Sequence, residues 1–285
     1  MGIQRGSIYA LVAIGFNMIY NSTGIINFAQ GEFVVLGGLM MVTLTMNLSL
    51  SMPFAFLLSV LFVTIVGFLM ERLTINPVRE PTVLRLIIIT IAVSILLKGL
   101  AMCIWGKGSL YMRQFTQTGP IEFFGATIMP QTLWIIGILA AVVSAYILFF
   151  NFTLTGKCMR ACSINRDSAR LCGINDRLMV MLSFALSAGI GAVAGIIITP
   201  IIQMDYGRGA LLGLKGFGAA VLGGLGNSGG AVVAGLLIGI LEAMSGGYIS
   251  SHYMDAIALI VMLFVLFVRP GGIFGKSEEI RLKEF

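Results

Sequence analysis

Charge is what this sequence has least of. Lys, Arg, Asp and Glu make up 11% of the chain against 58% hydrophobic residues, and the mean hydropathy is +1.00. Soluble domains carry about 25% charged residues, so a chain this poor in charge has too little polar surface to cover itself. That excludes an ordinary soluble enzyme, a nucleic-acid binder and a disordered chain. Histidine is nearly absent: His252 stands alone, and no Cys-x-x-Cys pair accompanies it. No metal site and no cofactor are expected from such a set. Cys103 lies in an apolar run, and Cys158, Cys162 and Cys172 share one basic loop; all read as reduced thiols. No nucleophile, base and orienting group come together, so no catalytic residue is expected.

What the chain has is long apolar runs. A membrane-crossing helix needs about 20 mostly apolar residues. Candidate spans lie at about 7–20, 29–48, 52–70, 84–105, 132–151, 178–200, 211–226, 229–245 and 253–268. The first and seventh are short, which leaves eight and nine crossings both open. The reading is an all-α polytopic membrane protein of about 8–9 transmembrane helices or half-helices, built as one domain over residues 1–285. No cleavable signal peptide is read at the start, because the opening run lacks a small-x-small site.

The formal charge of +6 is unevenly placed. Arg72, Arg79 and Arg85, then Lys157, Arg160, Arg166, Arg170 and Arg177, then Arg269, Lys276, Arg281 and Lys283 account for 12 of the 18 Lys and Arg residues. By the positive-inside rule the basic loop at about 152–177 and the tail at about 269–285 face the cytoplasm. Segment 106–131, with Gly119-Pro120 and Pro130, then forms an outward-facing lip.

Two polar stretches interrupt the apolar pattern. One runs from Asn17 through Asn27 to Glu32; the other is Gly223–Gly230, with Asn227 at its centre. Broken helix survives in a membrane only inside protein or along a wet cavity, so each break is either part of a polar path between two halves or a tight turn between neighbouring helices. Charges inside spans cost about 2.5–3.5 kcal/mol on insertion scales. Glu32 and Glu242 therefore face the protein interior, Lys215 lies in an apolar run, and Lys98 snorkels to an interface. Asn17, Asn27, Glu32, Asn227 and Glu242 are the translocation-path candidates. Gly191-x-x-x-Gly195 and Gly235-x-x-x-Gly239 fit close helix packing. In the tail, Gly271–Ser277 imitates a phosphate loop, but Pro270 stands where its first glycine belongs.

In the basic loop, Met159, Cys162, Ala169 and Cys172 recur at near-helical spacing. Asn165 or Asp167 is placed to cap a short helix ending at Gly173. Such a segment either rests on anionic lipid headgroups or docks a cytoplasmic partner; Gly156, Arg160, Ala161, Arg166, Ala169, Arg170 and Gly173 are the docking candidates.

The stretch Tyr9-Ala-Leu-Val-Ala-Ile-Gly-Phe-Asn-Met-Ile-Tyr20, followed by Gly24-Ile-Ile-Asn-Phe-Ala-Gln-Gly-Glu32, resembles the signature of branched-chain amino-acid ABC transporter permeases. Gly156-Lys-Cys-Met-Arg-Ala-Cys162, Ala219–Gly226, Gly239–Ala243 and Pro270–Gly275 continue the match in order, and the form at Asn27–Glu32 is similar to the LivH-type subunit. The resemblance implies an ABC importer permease bundle in a bacterial or archaeal cytoplasmic membrane. It implies a second permease of LivM type, two cytoplasmic ATPases of LivG and LivF types facing the 156–175 loop, and an extracytoplasmic substrate-binding protein. Leucine, isoleucine and valine are the default cargo, with other small polar solutes open. A passive channel for a small neutral solute is the competing reading, since Asn27-Phe-Ala29 at a helix break resembles the half-helix ends that line such pores. A purely structural anchor leaves the internal glutamates unexplained.

Overall fold

The computed structural model describes residues 1–78, 82–116, 119–123, 126–250, 252–269 and 271–275. Arg79, Pro270, Lys276, Ser277, Arg281 and Lys283 of the reading above lie outside them. Each expected span coincides with a helix: α1 Gly2–Thr23, α2 Gln30–Val42, α3 Met52–Met70, α4 Val83–Trp105, α5 Pro130–Phe152, α8 Asp176–Ile198, α9 Arg208–Gly223, α10 Ser228–Tyr248 and α11 Met254–Val268. Single π-helical turns extend α2 over Thr43–Asn47 and α3 over Glu71–Ile75. Two short helices, α6 Leu154–Ile164 and α7 Arg166–Leu171, form the basic loop. Among the described residues, five helices, Met52–Ile75 (with its π turn), α4, α5, α8 and α10, are long and apolar enough to cross a membrane by length and composition.

The apolar run predicts a short first span, but α1 has 22 residues, about 33 Å at 1.5 Å per residue. Its polar first turn is helical because its side chains find partners on other helices: Gln4 donates to Thr132 and Arg5 to Glu242. The seventh run stays short as α9, with 16 residues, about 24 Å long.

Helix α1 is buried all round from Gly6 to Ile19 and forms the centre of the bundle with α8, α9 and α10 against it. Glycine makes these approaches possible. A Cβ on Gly239 would stand 2.2 Å from the Gly6 nitrogen, and one on Gly235 2.6 Å from the Ala10 nitrogen, so α10 lies directly on the α1 backbone. On the other side a Cβ on Gly195 would stand 1.8 Å from the Val34 carbonyl oxygen, which seats α8 on α2. Both Gly-x-x-x-Gly motifs thus carry helix packing. The outer helices α3, α4, α5 and α11 leave Phe54, Leu84, Ile95, Leu148 and Phe267 exposed, a surface matched to acyl chains rather than water.

Segment 106–131 holds a small antiparallel hairpin, β1 Ile121–Phe123 with β2 Ala126–Ile128. A two-way backbone bridge, Leu110 N–H to Met204 at 2.8 Å and Met204 N–H to Leu110 at 2.7 Å, ties it to the α8–α9 connection.

Candidate functional site

Pairing offsets the cost of charge in a membrane bundle, and buried Lys215 of α9 and Glu242 of α10 meet the partly exposed Arg5 of α1 and Asp255 of α11. Lys215 Nζ donates to Glu242 Oε1 at 3.1 Å, to the Tyr9 hydroxyl at 3.0 Å and to Asp255 Oδ1 at 2.7 Å. Arg5 Nη1 donates to Glu242 Oε1 at 2.9 Å, and the Tyr9 hydroxyl donates to Glu242 Oε2 at 2.7 Å. Two cations meet two carboxylates, and the ammonium lies 5.2 Å from the centre of the Tyr9 ring. Glu242 is interior, as its insertion cost requires. Its partners Arg5, Tyr9 and Asp255 escaped the sequence reading. The available signal was the demand that Lys215 and Glu242, both deep in apolar runs, find opposite charge.

The first polar stretch is helical through Thr23; only residues 24–29 break. Gly24 takes the left-handed conformation (φ 70°) and its N–H bonds back to Tyr20, closing α1. Asn27 Oδ1 accepts from the Ala29 N–H at 3.0 Å and turns the chain into α2. Asn27 and Glu32 are both buried. Glu32 sits in the first turn of α2, where the helix dipole favours an anion. Its carboxylate lies under the Gly209 backbone and accepts from the Ser94 hydroxyl at 3.2 Å. Beside it opens a cavity of about 280 Å³ walled by Phe16, Phe28, Ile91, Ser94, Gly213 and Phe217. The Phe217 ring lies 5.7 Å from that of Phe16 and 5.8 Å from that of Phe28. Phe28 is held by its own N–H, which donates to Thr90 Oγ1 at 3.3 Å. Lys98 is half-buried, its ammonium 6.0 Å from the Tyr206 ring centre.

The second polar stretch is a tight turn joining α9 to α10. Exposed Asn227 caps α10, its Oδ1 accepting from the Gly230 N–H at 3.0 Å. The two polar stretches nevertheless touch. Asn17 Oδ1 accepts from the Gly226 N–H at 3.1 Å, and Asn21 Nδ2 donates to the Gly226 carbonyl at 3.0 Å, so one face of α1 grips both sides of this residue. Asn21 was missed by sequence reasoning, although it lies one turn beyond Asn17 on the same face. The phosphate-loop mimic is structural as far as it is described. Ile273 N–H donates to Leu222 at 2.7 Å and Asn227 Nδ2 to the Phe274 carbonyl at 3.2 Å, so the stretch folds back onto the same turn.

The basic loop has the helical form its spacing predicts. Thr153 caps α6 and Asn165 caps α7, and Gly173 adopts φ 80° just past the end of α7. Met159, Cys162 and Ala169 are buried against Ile14, Met18, Tyr146, Phe150 and Met179, while Cys172 is exposed. Gly156 lets α6 start against α5: a Cβ there would stand 2.3 Å from the Phe149 carbonyl oxygen. Ala169 points inward and Ala161 faces the open groove between α6 and α7. Three of the loop's arginines have partners within the chain. Arg160 donates to Asn151 Oδ1 at 3.2 Å, Arg170 to Asp176 Oδ2 at 2.6 Å, and Arg166 Nη2 to the Thr23 carbonyl at 3.0 Å. Leu154, Ile164 and Leu171 stand out on the exposed side, each more than four-fifths exposed.

A mainly helical bundle with an apolar outer surface, paired interior charges and several helices long enough to cross a bilayer defines a multi-pass membrane protein. Residues 1–266 match the family model described as branched-chain amino acid transport system / permease component, and the chain belongs to that family. It is 34% identical to the high-affinity branched-chain amino acid transport system permease protein LivH of Salmonella typhimurium, covering 97% of this chain and 94% of that protein. It is 32% identical to the corresponding BraD protein of Pseudomonas aeruginosa, over 97% and 94%. Among solved structures, PsaBC from Streptococcus pneumoniae in complex with Fab shares the fold, with a TM-score of 0.51 and 13% identity over 98% of this chain and 94% of that one.

Proposed function

We propose that this chain is the LivH-type half of the membrane path of an ATP-driven importer for leucine, isoleucine, valine or a related small polar solute. It pairs with a LivM-type permease, receives cargo from an extracytoplasmic binding protein, and is driven by two cytoplasmic ATPases of LivG and LivF types. It sits in the cytoplasmic membrane with the α6–α7 pair and the C-terminus on the cytoplasmic side, as the basic residues there favour.

The observation that carries this reading is the α6–α7 unit. It is capped, packed on α1, α5 and α8 through Met159, Cys162 and Ala169, and apolar on its far side at Leu154, Ile164 and Leu171. Leucines and isoleucines standing free of a basic helix pair suit a protein cleft better than bulk water. Gly156 and Gly173 set the limits of this unit, and Arg160, Arg166 and Arg170 supply its positive field.

The path runs along the cavity beside Glu32. Its aromatic and aliphatic wall suits the side chain of a branched amino acid, and Glu32, Asn27 and Ser94 supply polarity at its edge. Asn17, Asn227 and Glu242 act from the second layer, the first two by fixing the α9–α10 turn and Glu242 by anchoring α9, which walls the cavity.

Co-purification tests the reading. Exposed ion pairs contribute only about 0–1 kcal/mol each, so single arginine changes will be mild. Arg160→Glu combined with Ala161→Trp will leave the chain inserted and paired with its permease partner while the ATPases no longer co-purify. Undiminished ATPase association would make α6–α7 a lipid-facing connector and overturn the proposal.

A further inference from the structure

Arg160 and Arg170 meet side chains at the ends of α5 and α8, whereas the Arg166 guanidinium meets a terminal backbone carbonyl, that of α1. Arg166 lies at the start of α7, half-buried, and its Nη2 meets the carbonyl of Thr23, the last residue of α1, at 3.0 Å. The last carbonyls of a helix lack intrahelical partners and carry the negative end of its dipole. A cation donating there satisfies one of them with a charge-assisted bond, stronger than a neutral one.

The position of that bond matters more than its strength. Gly24 follows Thr23 in the left-handed conformation, with open space where a Cβ would stand, and begins the non-helical segment 24–29. Four residues further on, Phe28 projects into the cavity wall against Phe217. On the other side of Thr23, Asn21 grips Gly226 of the α9–α10 turn, and α9 carries Phe217. Thr23 is therefore the point where α7 touches both walls of the cavity through short covalent or hydrogen-bonded routes.

We propose that Arg166 is the positioning residue that transmits movement of the α6–α7 pair to the cavity, acting as a latch on the C-terminal end of α1 rather than as a contact for the ATPase. This rests on the importer reading above. A displaced α7 pulls or releases the Thr23 carbonyl, the 24–29 segment turns about Gly24, and Phe28 moves relative to Phe217. Arg160 and Arg170 bond Asn151 on the last turn of α5 and Asp176 on the first turn of α8, helices that contribute no residue to the cavity wall.

The experiment uses the assembled importer in proteoliposomes with loaded binding protein. Arg166→Met removes the charge and all donors while keeping an apolar stem; Arg166→Lys keeps charge and a donor. The expected result for Arg166→Met is normal yield, melting temperature and ATPase co-purification, normal stimulation of ATP hydrolysis, and solute moved per ATP down by about tenfold, the size of a lost charge-assisted bond. Arg166→Lys will recover most of that coupling. A second readout follows the segment itself: with the native cysteines replaced by serine and Ile26→Cys introduced, the thiol labelling rate will differ between ATP-bound and nucleotide-free complex, and Arg166→Met will abolish the difference.

Normal transport per ATP in Arg166→Met would overturn the proposal. Loss of ATPase association in that variant would also overturn it, by making Arg166 a docking contact. Failure of both Arg166→Met and Arg166→Lys to assemble would overturn it as well, by making the residue purely structural. A native chain that recruited no ATPase at all would instead refute the importer reading itself.

Discussion

Lys215 and Glu242, on adjacent helices α9 and α10, face each other at 3.1 Å inside the bundle, both side chains almost fully buried. Each is a liability alone in a membrane. Together with Arg5 and Asp255 they leave no net charge to solvate.

Removing one partner of such a pair strands the other. Glu242→Gln leaves Arg5 and Lys215 with Asp255 as their remaining carboxylate in the group, and Lys215→Met leaves Asp255 without its ammonium. Each will cost up to about 3–5 kcal/mol, the range for breaking a buried pair. The double variant Lys215→Met with Glu242→Gln will be milder than the sum of the two, because residues in one network couple. Melting temperatures of the purified protein in detergent measure all three; strict additivity would mean that the two side chains do not act on each other.

Helix packing gives a sharper contrast. Gly195→Ala would drive a Cβ into the Val34 carbonyl, so α2 and α8 must separate and little folded protein will be recovered. Gly137→Ala, on α5 with open space around it, will be neutral or stabilise by up to about 1 kcal/mol through helix propensity. Equal yields of the two variants would show that α8 does not sit on the α2 backbone.

The thiols report the packing of α6 and α7. Cys162 is buried, and that burial pushes its thiol above the usual range, whereas Cys172 is exposed. The thiolate is the reacting form, so at neutral pH a maleimide will label Cys172 quickly and Cys162 only after unfolding. Peptide mapping by mass spectrometry checks this, and fast labelling of both would mean that α6 is not seated on α5 and α1.

The sequence alone carried the helices far. Apolar length located the spans, the two Gly-x-x-x-Gly motifs marked α8 and α10 as closely packed helices, and Asn165 with Gly173 bracketed a short helix that is there as α7. What it did not carry is pairing across the fold. Arg5 is 237 positions from Glu242, and a polar first turn reads as a loop until its partner is known. Gly223–Gly230 fitted a pathway element and a tight turn equally, because Asn, Ser and Gly serve as helix caps and as pore linings alike. Only the grip of Asn17 and Asn21 on Gly226 distinguishes the two locally. The bond from Arg166 to the Thr23 carbonyl was hidden for the same reason: spacing gives a helical face, not which neighbour that face meets.

Solute flux in sealed proteoliposomes separates an ATP-driven importer from a passive channel. The complete complex, with this chain as one permease, is reconstituted with radiolabelled leucine and loaded binding protein outside and ATP inside. An importer accumulates leucine above the external concentration, and that accumulation requires both internal ATP and the binding protein. Rapid equilibration of leucine or another small neutral solute without ATP would contradict the importer reading and make the chain a passive channel.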